Sequence, residues 1–165
     1  MLNFELFMNI VTDLHIHSKY SRAVSQQMII PEIGKWADKK GIDLVGTGDF
    51  THPLWLRELK STLIETSPGI YKDKTNPGTK AHFLLTAEIS SIYSQGGKTR
   101  RIHNLILSPN FNTVDKIVTE LSKRGCNLLS DGRPIIGLSS HDLVALVLSV
   151  DKEALVIPCH IWTPW

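Results

Sequence analysis

The most constraining feature of this chain is a pair of histidines one residue apart, His15 and His17, in the run Thr12-Asp13-Leu14-His15-Ile16-His17-Ser18. Ile10 to Ile16 is β-branched and apolar and reads as a strand. Side chains alternate across a strand with period two, so both imidazoles point to one face and can share a metal ion. Asp13, directly before them, would either ligate as well or hold an imidazole in its ligating tautomer. An isolated H-x-H is as often an ordinary strand. The decision therefore rests on whether further His, Asp and Glu residues stand at other strand ends.

The 165 residues suffice for one hydrophobic core, and 42% hydrophobic with 21% charged residues is the balance of a soluble globular chain. A formal charge of +2 does not by itself argue for nucleic acid. Lys35 to Lys40 and Lys98-Thr99-Arg100-Arg101 are local basic clusters whose ordinary reading is a solvated surface. Cys126 and Cys159 have no C-x-x-C spacing, so neither a disulfide framework nor a thiolate zinc knuckle is indicated, and a reducing cytoplasm fits best. No run reaches membrane-spanning length, and residues 1–8 read as an apolar extension without signal-peptide features. Met8, immediately before the first strand, is a second candidate start. The aromatic run Cys159-His160-Ile161-Trp162-Thr163-Pro164-Trp165 has no polar closure, so the expectation is an N-terminal piece of a longer protein, with residues 9–165 an incomplete domain.

Along the chain, Ser18 to Gln27 is a polar loop. Pro31 to Lys40 is a helix with Ile33, Trp36 and Ala37 on one face and Gly41 as its stop. Asp43 to Thr47 is a short buried strand opening into Gly48-Asp49-Phe50-Thr51-His52, and Pro53 starts a helix carrying Trp55, Leu59 and Leu63 inward. Ser67 to Lys80 reads as a long exposed loop. Phe83 to Ile89 and Ile102 to Leu107 read as strands pairable as a hairpin through Gln95-Gly96-Gly97. Val114, Ile117, Val118 and Leu121 mark a helix capped by Asn112 or Thr113, another begins near Ser139 or Ser140, and Ala154 to Pro158 is a last strand delivering His160. The pattern is α/β and barrel-like, with polar residues where strands end.

Those residues are His15, His17, Asp49, Glu88, His103 and His160. A carboxylate inside the apolar Leu84 to Ile89 run is costly to bury unless paired or metal-bound, and Glu88 is best used to bridge two cations. Carboxylate and imidazole without thiolate suit zinc or manganese, with magnesium at an oxygen-rich position. His52 reads as a helix entry, His82 as a residue beside a loop, and His141 as part of a helix's first turn.

Asp13-Leu14-His15-Ile16-His17-Ser18, Thr47-Gly48-Asp49, Ala87-Glu88, His103 and Pro158-Cys159-His160 resemble, in order and context, the first four motifs of the PHP (polymerase and histidinol phosphatase) metallohydrolase superfamily. Within it, Lys19-Tyr20-Ser21-Arg22-Ala23-Val24-Ser25, Gly46-Thr47-Gly48-Asp49-Phe50 and His160-Ile161-Trp162-Thr163-Pro164-Trp165 resemble the endonuclease Q branch, which acts in DNA repair. The fold this implies is a distorted seven-stranded β/α barrel of the PHP type, here partial. The resemblance also implies two to three divalent ions (zinc, manganese or magnesium) and cleavage of DNA on the 5′ side of uracil, hypoxanthine or an abasic site. Asp13, Glu88 and Asp49 would be the catalytic carboxylates. His15 and His17 would hold one ion, Glu88 would bridge it to a second on His103 and His160, and Asp49 would serve a third or orient water. The partners so implied are a DNA substrate and replication or repair factors, with no membrane. Two departures stand out: Phe50 occupies the place of the superfamily's usual histidine after Asp49, and no Asp-x-His follows His160. A phosphomonoesterase acting on a small molecule would use the same metals, and a non-catalytic module of a polymerase- or helicase-associated protein would use none. No G-x-x-x-x-G-K-[ST] occurs, so this piece has no nucleotide-binding loop.

Overall fold

The computed structural model describes residues 9–163; the N-terminal extension and Trp165 lie outside them. Its elements, in order, are β1 (Thr12–Asp13), α1 (Ile30–Lys40), β2 (Leu44–Gly46), α2 (Pro53–Thr62), β3 (Leu63–Ser67), β4 (Ile70–Asp73), β5 (His82–Gln95), β6 (Lys98–Ser108), α3 (Phe111–Lys123), β7 (Ile135–Ile136), α4 (Ser140–Val150) and β8 (Leu155–Cys159). The eight strands form one open, mixed sheet built around β5. β1 pairs parallel with β2, and β2 parallel with the start of β5. Beyond Leu85 the same strand runs antiparallel to β6, which in turn pairs with β8.

Burial on β5 shows how the molecule is layered. Phe83, Leu85, Ala87 and Ile89 are fully buried on one face, where they meet Leu59 of α2, Val114, Ile117 and Leu121 of α3 and Leu143 and Val147 of α4. Each of the larger side chains here contributes on the order of 1.5–3 kcal/mol by leaving water. The alternate residues Thr86, Glu88 and Ser90 are buried as well, at 0%, 1% and 4% exposure. A strand with one apolar and one polar buried face must satisfy the second by specific partners. That face is where the candidate site lies.

The helices follow the expected signals. α1 has Pro31 in its first turn and Gly41 at its C-cap with φ +69°, a left-handed conformation that glycine adopts without strain. α3 is capped by Asn110, whose side chain accepts from the Thr113 amide at 2.9 Å, rather than by Asn112 or Thr113. Ser139 caps α4 in the same way, accepting from the Asp142 amide at 3.1 Å. Trp36, expected on the inward face of α1, is 52% exposed and lies under the Lys39 ammonium.

Two segments differ from the sequence reading. The ladder of β1 covers only Thr12 and Asp13 instead of Ile10 to Ile16, because beyond it the backbone crosses closely over β2. A Cβ on Gly46 would lie 2.3 Å from the Leu14 carbonyl oxygen. Ser67 to Lys80 is not one loop: β3 and β4 form a hairpin turning at Gly69, φ +74°, with Tyr71 and Asp73 buried. Its few apolar residues hid it. The hairpin of β5 and β6 is present and longer than expected, closing through Gly96 and Gly97 with both φ positive, the pattern of a type I′ turn.

Candidate metal centre

The polar face of β5 gathers side chains through register. In the antiparallel ladder Ser90 stands opposite His103, and His103 opposite Cys159, so Glu88, two residues from Ser90, shares one face with His103 and Cys159. His160 follows Cys159 and by alternation would face away. Its φ of +53° turns it back instead. The rings of His103 and His160 meet edge to face with centroids 5.5 Å apart.

His15 and His17 arrive from the other end of the sheet. They lie beyond the last ladder pair of β1, on a segment held against Gly46 and Gly48, where a Cβ at Gly48 would come 2.4 Å from the Ile16 carbonyl oxygen. The pleat argument thus gives the right convergence for a different local reason. His15, just past β1, and His160, just past β8, have ring centroids 5.1 Å apart, and both rings approach Glu88.

Glu88 is the centre of this cluster. One carboxylate oxygen lies 3.1 Å from His15 Nε2 and 2.9 Å from His17 Nε2, and the other lies 2.5 Å from His103 Nδ1 and 3.3 Å from His160 Nε2. A carboxylate that is 1% exposed and ringed by four imidazole nitrogens has the form of a ligand set, and carboxylate with imidazole fits a borderline divalent cation. Glu88, His103 and His160 each offer a donor atom within 4.8 Å of the others, as do His15, Glu88 and Cys159. Burial alone would raise the Glu88 pKa; the contacts with His15 and His17 and the charge of His103 outweigh it and hold the carboxyl well below the usual range. His103 moves downward, chiefly through burial.

Asp49 stands behind His17, not between the imidazoles. Its Oδ1 is 2.9 Å from His17 Nδ1, while Oδ2 accepts from the Ser18 amide at 2.6 Å, the Ser18 hydroxyl at 2.7 Å and the Ser21 hydroxyl at 2.9 Å. Asp49 is fully buried with φ +51°. With Oδ2 taken by three protein donors and Oδ1 set against Nδ1, Asp49 favours the Nδ1–H tautomer of His17, whose Nε2 faces Glu88. Asp49 first, and Glu88 second, push the His17 pKa up to about 9.

The structure does not bring Asp13 to this cluster. Asp13 sits on the two-residue ladder of β1, exposed, and lines a cleft of about 310 Å³ on the α1 side together with Met28, Trp36 and Lys40. The pleat ends at Asp13, so sharing parity with His15 does not give it a shared face. His52, at the N-cap of α2, donates from Nε2 to the Leu129 carbonyl at 3.2 Å and stacks on Tyr20, and burial lowers its pKa. Its place at the N-cap of α2 is the helix entry that the sequence suggested. His82 pairs in the ladder with Leu44, and His141 is exposed in the first turn of α4.

Four residues around the cluster escaped the sequence reading. Ser18 and Ser21 hold Asp49, and only the proximity of 18–21 to the histidines could have suggested them. Cys159 joins the ligand-bearing face because of the β6–β8 register, which no local pattern encodes. Its thiol is raised to about 11 by burial and then by the Glu88 charge. Arg133 places a guanidinium nitrogen 3.7 Å from Glu88.

No protein-family model matches the chain. The chain is 32% identical over 152 residues to an uncharacterised protein of Methanocaldococcus jannaschii, an alignment covering 92% of this chain and 16% of that one. Its structure is similar to that of endonuclease Q. For the lesion-specific endonuclease PfuEndoQ from Pyrococcus furiosus the TM-score is 0.80 at 33% identity, covering 94% of this chain and 36% of that one. For an endonuclease Q complexed with a 27-mer duplex substrate carrying an abasic lesion at its active site, the TM-score is 0.79 at 33% identity, covering 93% and 35%. The chain therefore spans about a third of the endonuclease Q structures it matches and a smaller share of the archaeal relative.

Proposed function

We propose that this chain is the metal-binding part of a DNA-repair endonuclease of the endonuclease Q type, within the PHP superfamily. The observation that carries the reading is Glu88, buried and bracketed by His15 and His17 on one oxygen and by His103 and His160 on the other. The similarity to endonuclease Q, one example of which holds a duplex with an abasic lesion, supports DNA as the substrate.

Zinc or manganese suits this donor set, with His15, His17, Glu88, His103 and His160 as ligands. Bound metal would supply an activated water at neutral pH and charge neutralisation at the scissile phosphate. The chain's own residues do the rest. Glu88 presents one oxygen to each histidine pair, Asp49 keeps the proton of His17 on Nδ1, and Ser18 and Ser21 hold Asp49 in place. Asp49 thus acts in this reading by orienting His17, and Asp13 has no part in the chemistry. Lesion selection requires the damaged nucleotide to leave the stack.

The test is a nicking assay with the metal-loaded protein, in its full natural length, on duplexes carrying uracil, hypoxanthine or an abasic site, beside an undamaged duplex and a small phosphomonoester. Incision on the 5′ side of the lesion and no phosphate release is the expected result. Phosphate release without incision would favour the phosphomonoesterase reading, and inertness on all substrates would favour a non-catalytic module.

A further inference from the structure

Arg133 lies in the turn that carries the chain from α3 to β7. This turn is fixed on both sides. The Gly132 amide donates to the Tyr20 carbonyl at 3.0 Å, the Arg133 amide to the Asp131 carboxylate at 3.0 Å, and the Ser90 amide to the Pro134 carbonyl at 3.0 Å. Gly132 itself is pressed onto the site's supporting layer, since a Cβ there would come 2.3 Å from Asp49 Oδ2 and 2.4 Å from Ser21 Oγ. The backbone that presents Arg133 is thus held by the residues that orient His17.

Among the described residues, Arg133 is the one lysine or arginine within ion-pair distance of Glu88. Its side chain is 39% exposed while Glu88 is 1% exposed, so the guanidinium stands at the mouth of the cluster, between the ligands and solvent. A permanent positive charge there does nothing to hold a cation. With Glu88 and the four imidazoles holding a divalent metal, Arg133 would be repelled by that charge and would lose its carboxylate partner. What then fits the position is an anion shared between metal and guanidinium, and the planar fork of arginine matches two oxygens of a phosphate.

Resting on the metal-centre reading above, we propose that Arg133 binds the scissile phosphate of the nucleic-acid backbone at the mouth of this centre, contacting non-bridging oxygens and setting where the phosphodiester sits against the ligand cluster.

The test measures binding of inorganic phosphate to the metal-loaded chain by calorimetry at fixed ionic strength. Wild type, Arg133→Gln and Arg133→Lys are compared, with the metal content of each measured in parallel by mass spectrometry. Arg133→Gln should weaken phosphate binding about tenfold or more, the scale of a lost charge-assisted contact. Arg133→Lys should fall between, keeping the charge without the fork, and metal content should be unchanged in both. Phosphate affinity unaltered in Arg133→Gln would overturn this inference alone, leaving the metal reading standing. Loss of metal in step with phosphate would also overturn it, since Arg133 would then be holding the centre together. A wild-type chain that binds no metal would overturn both readings.

Discussion

Replacing Asp49 by Asn changes one atom of a buried group and should alter the metal centre without touching a ligand atom. The carboxylate accepts four contacts: the Ser18 amide at 2.6 Å and hydroxyl at 2.7 Å, the Ser21 hydroxyl at 2.9 Å, and His17 Nδ1 at 2.9 Å. An amide has one oxygen and one NH2 group, and the oxygen belongs on the side of the three serine donors. The NH2 then faces His17 and forces Nδ1 to accept, which moves the ring proton to Nε2, the atom 2.9 Å from Glu88. A histidine protonated at Nε2 cannot ligate there. Loss of such an orienting partner lowers metal affinity by about 10–100-fold, or ~1.4–2.8 kcal/mol. The metal-free protein should change as well. Asp49 is the largest cause of the His17 pKa of about 9, so in the variant it should fall back toward 6.5. A raised folded-state pKa adds stability that is complete below the unfolded value of 6.5 and is lost as pH rises through about 9. Metal-free wild type should therefore lose stability across that window, and Asp49→Asn should lose less. Competition dialysis gives the affinity, and imidazole nitrogen shifts in NMR give the tautomer and pKa. Wild-type metal affinity together with an unmoved His17 pKa in Asp49→Asn would refute the orienting role.

Two further outcomes follow from the same structure. Gly132→Ala drives a methyl group into Asp49 and Ser21, and should cost about 1–3 kcal/mol as overpacking, read as a lower midpoint in thermal unfolding; an unchanged midpoint would mean that the turn has room. Lys98, Arg100 and Arg101 are exposed on the hairpin that extends past His103, and replacing all three with Ala should weaken DNA binding for every sequence and flatten its salt dependence. An unaltered salt slope would make the cluster a solvated surface.

The sequence revealed the helices because their signals are local: Pro31 and Gly41 bound α1, and Ser139 begins α4. The polar residues of the site were legible for a similar reason, since a carboxylate in an apolar strand and an H-x-H need partners wherever they fold. What stayed hidden depends on register and long-range approach. The length of β1 is set by Gly46 meeting Leu14, and the place of Cys159 by its pairing with His103. Asp49 sits where its type suggested, at the end of β2, yet a carboxylate that coordinates and one that orients a histidine look alike in a sequence. In the structure its second oxygen accepts from the Ser18 and Ser21 hydroxyls, contacts that no sequence pattern displays. Asp13 shares the parity of His15 but not its face, because the pleat ends between them.

The central claim is that Glu88 and the imidazoles around it form a divalent metal site, and metal content of the purified chain tests it most directly. After equilibration with zinc or manganese and removal of free ion, the wild-type protein should retain bound metal in fixed proportion to chain. Glu88→Gln, which keeps the shape but removes the shared anionic ligand, should retain far less while keeping its circular dichroism spectrum. Equal metal content in the two proteins, or none in wild type, would contradict the account.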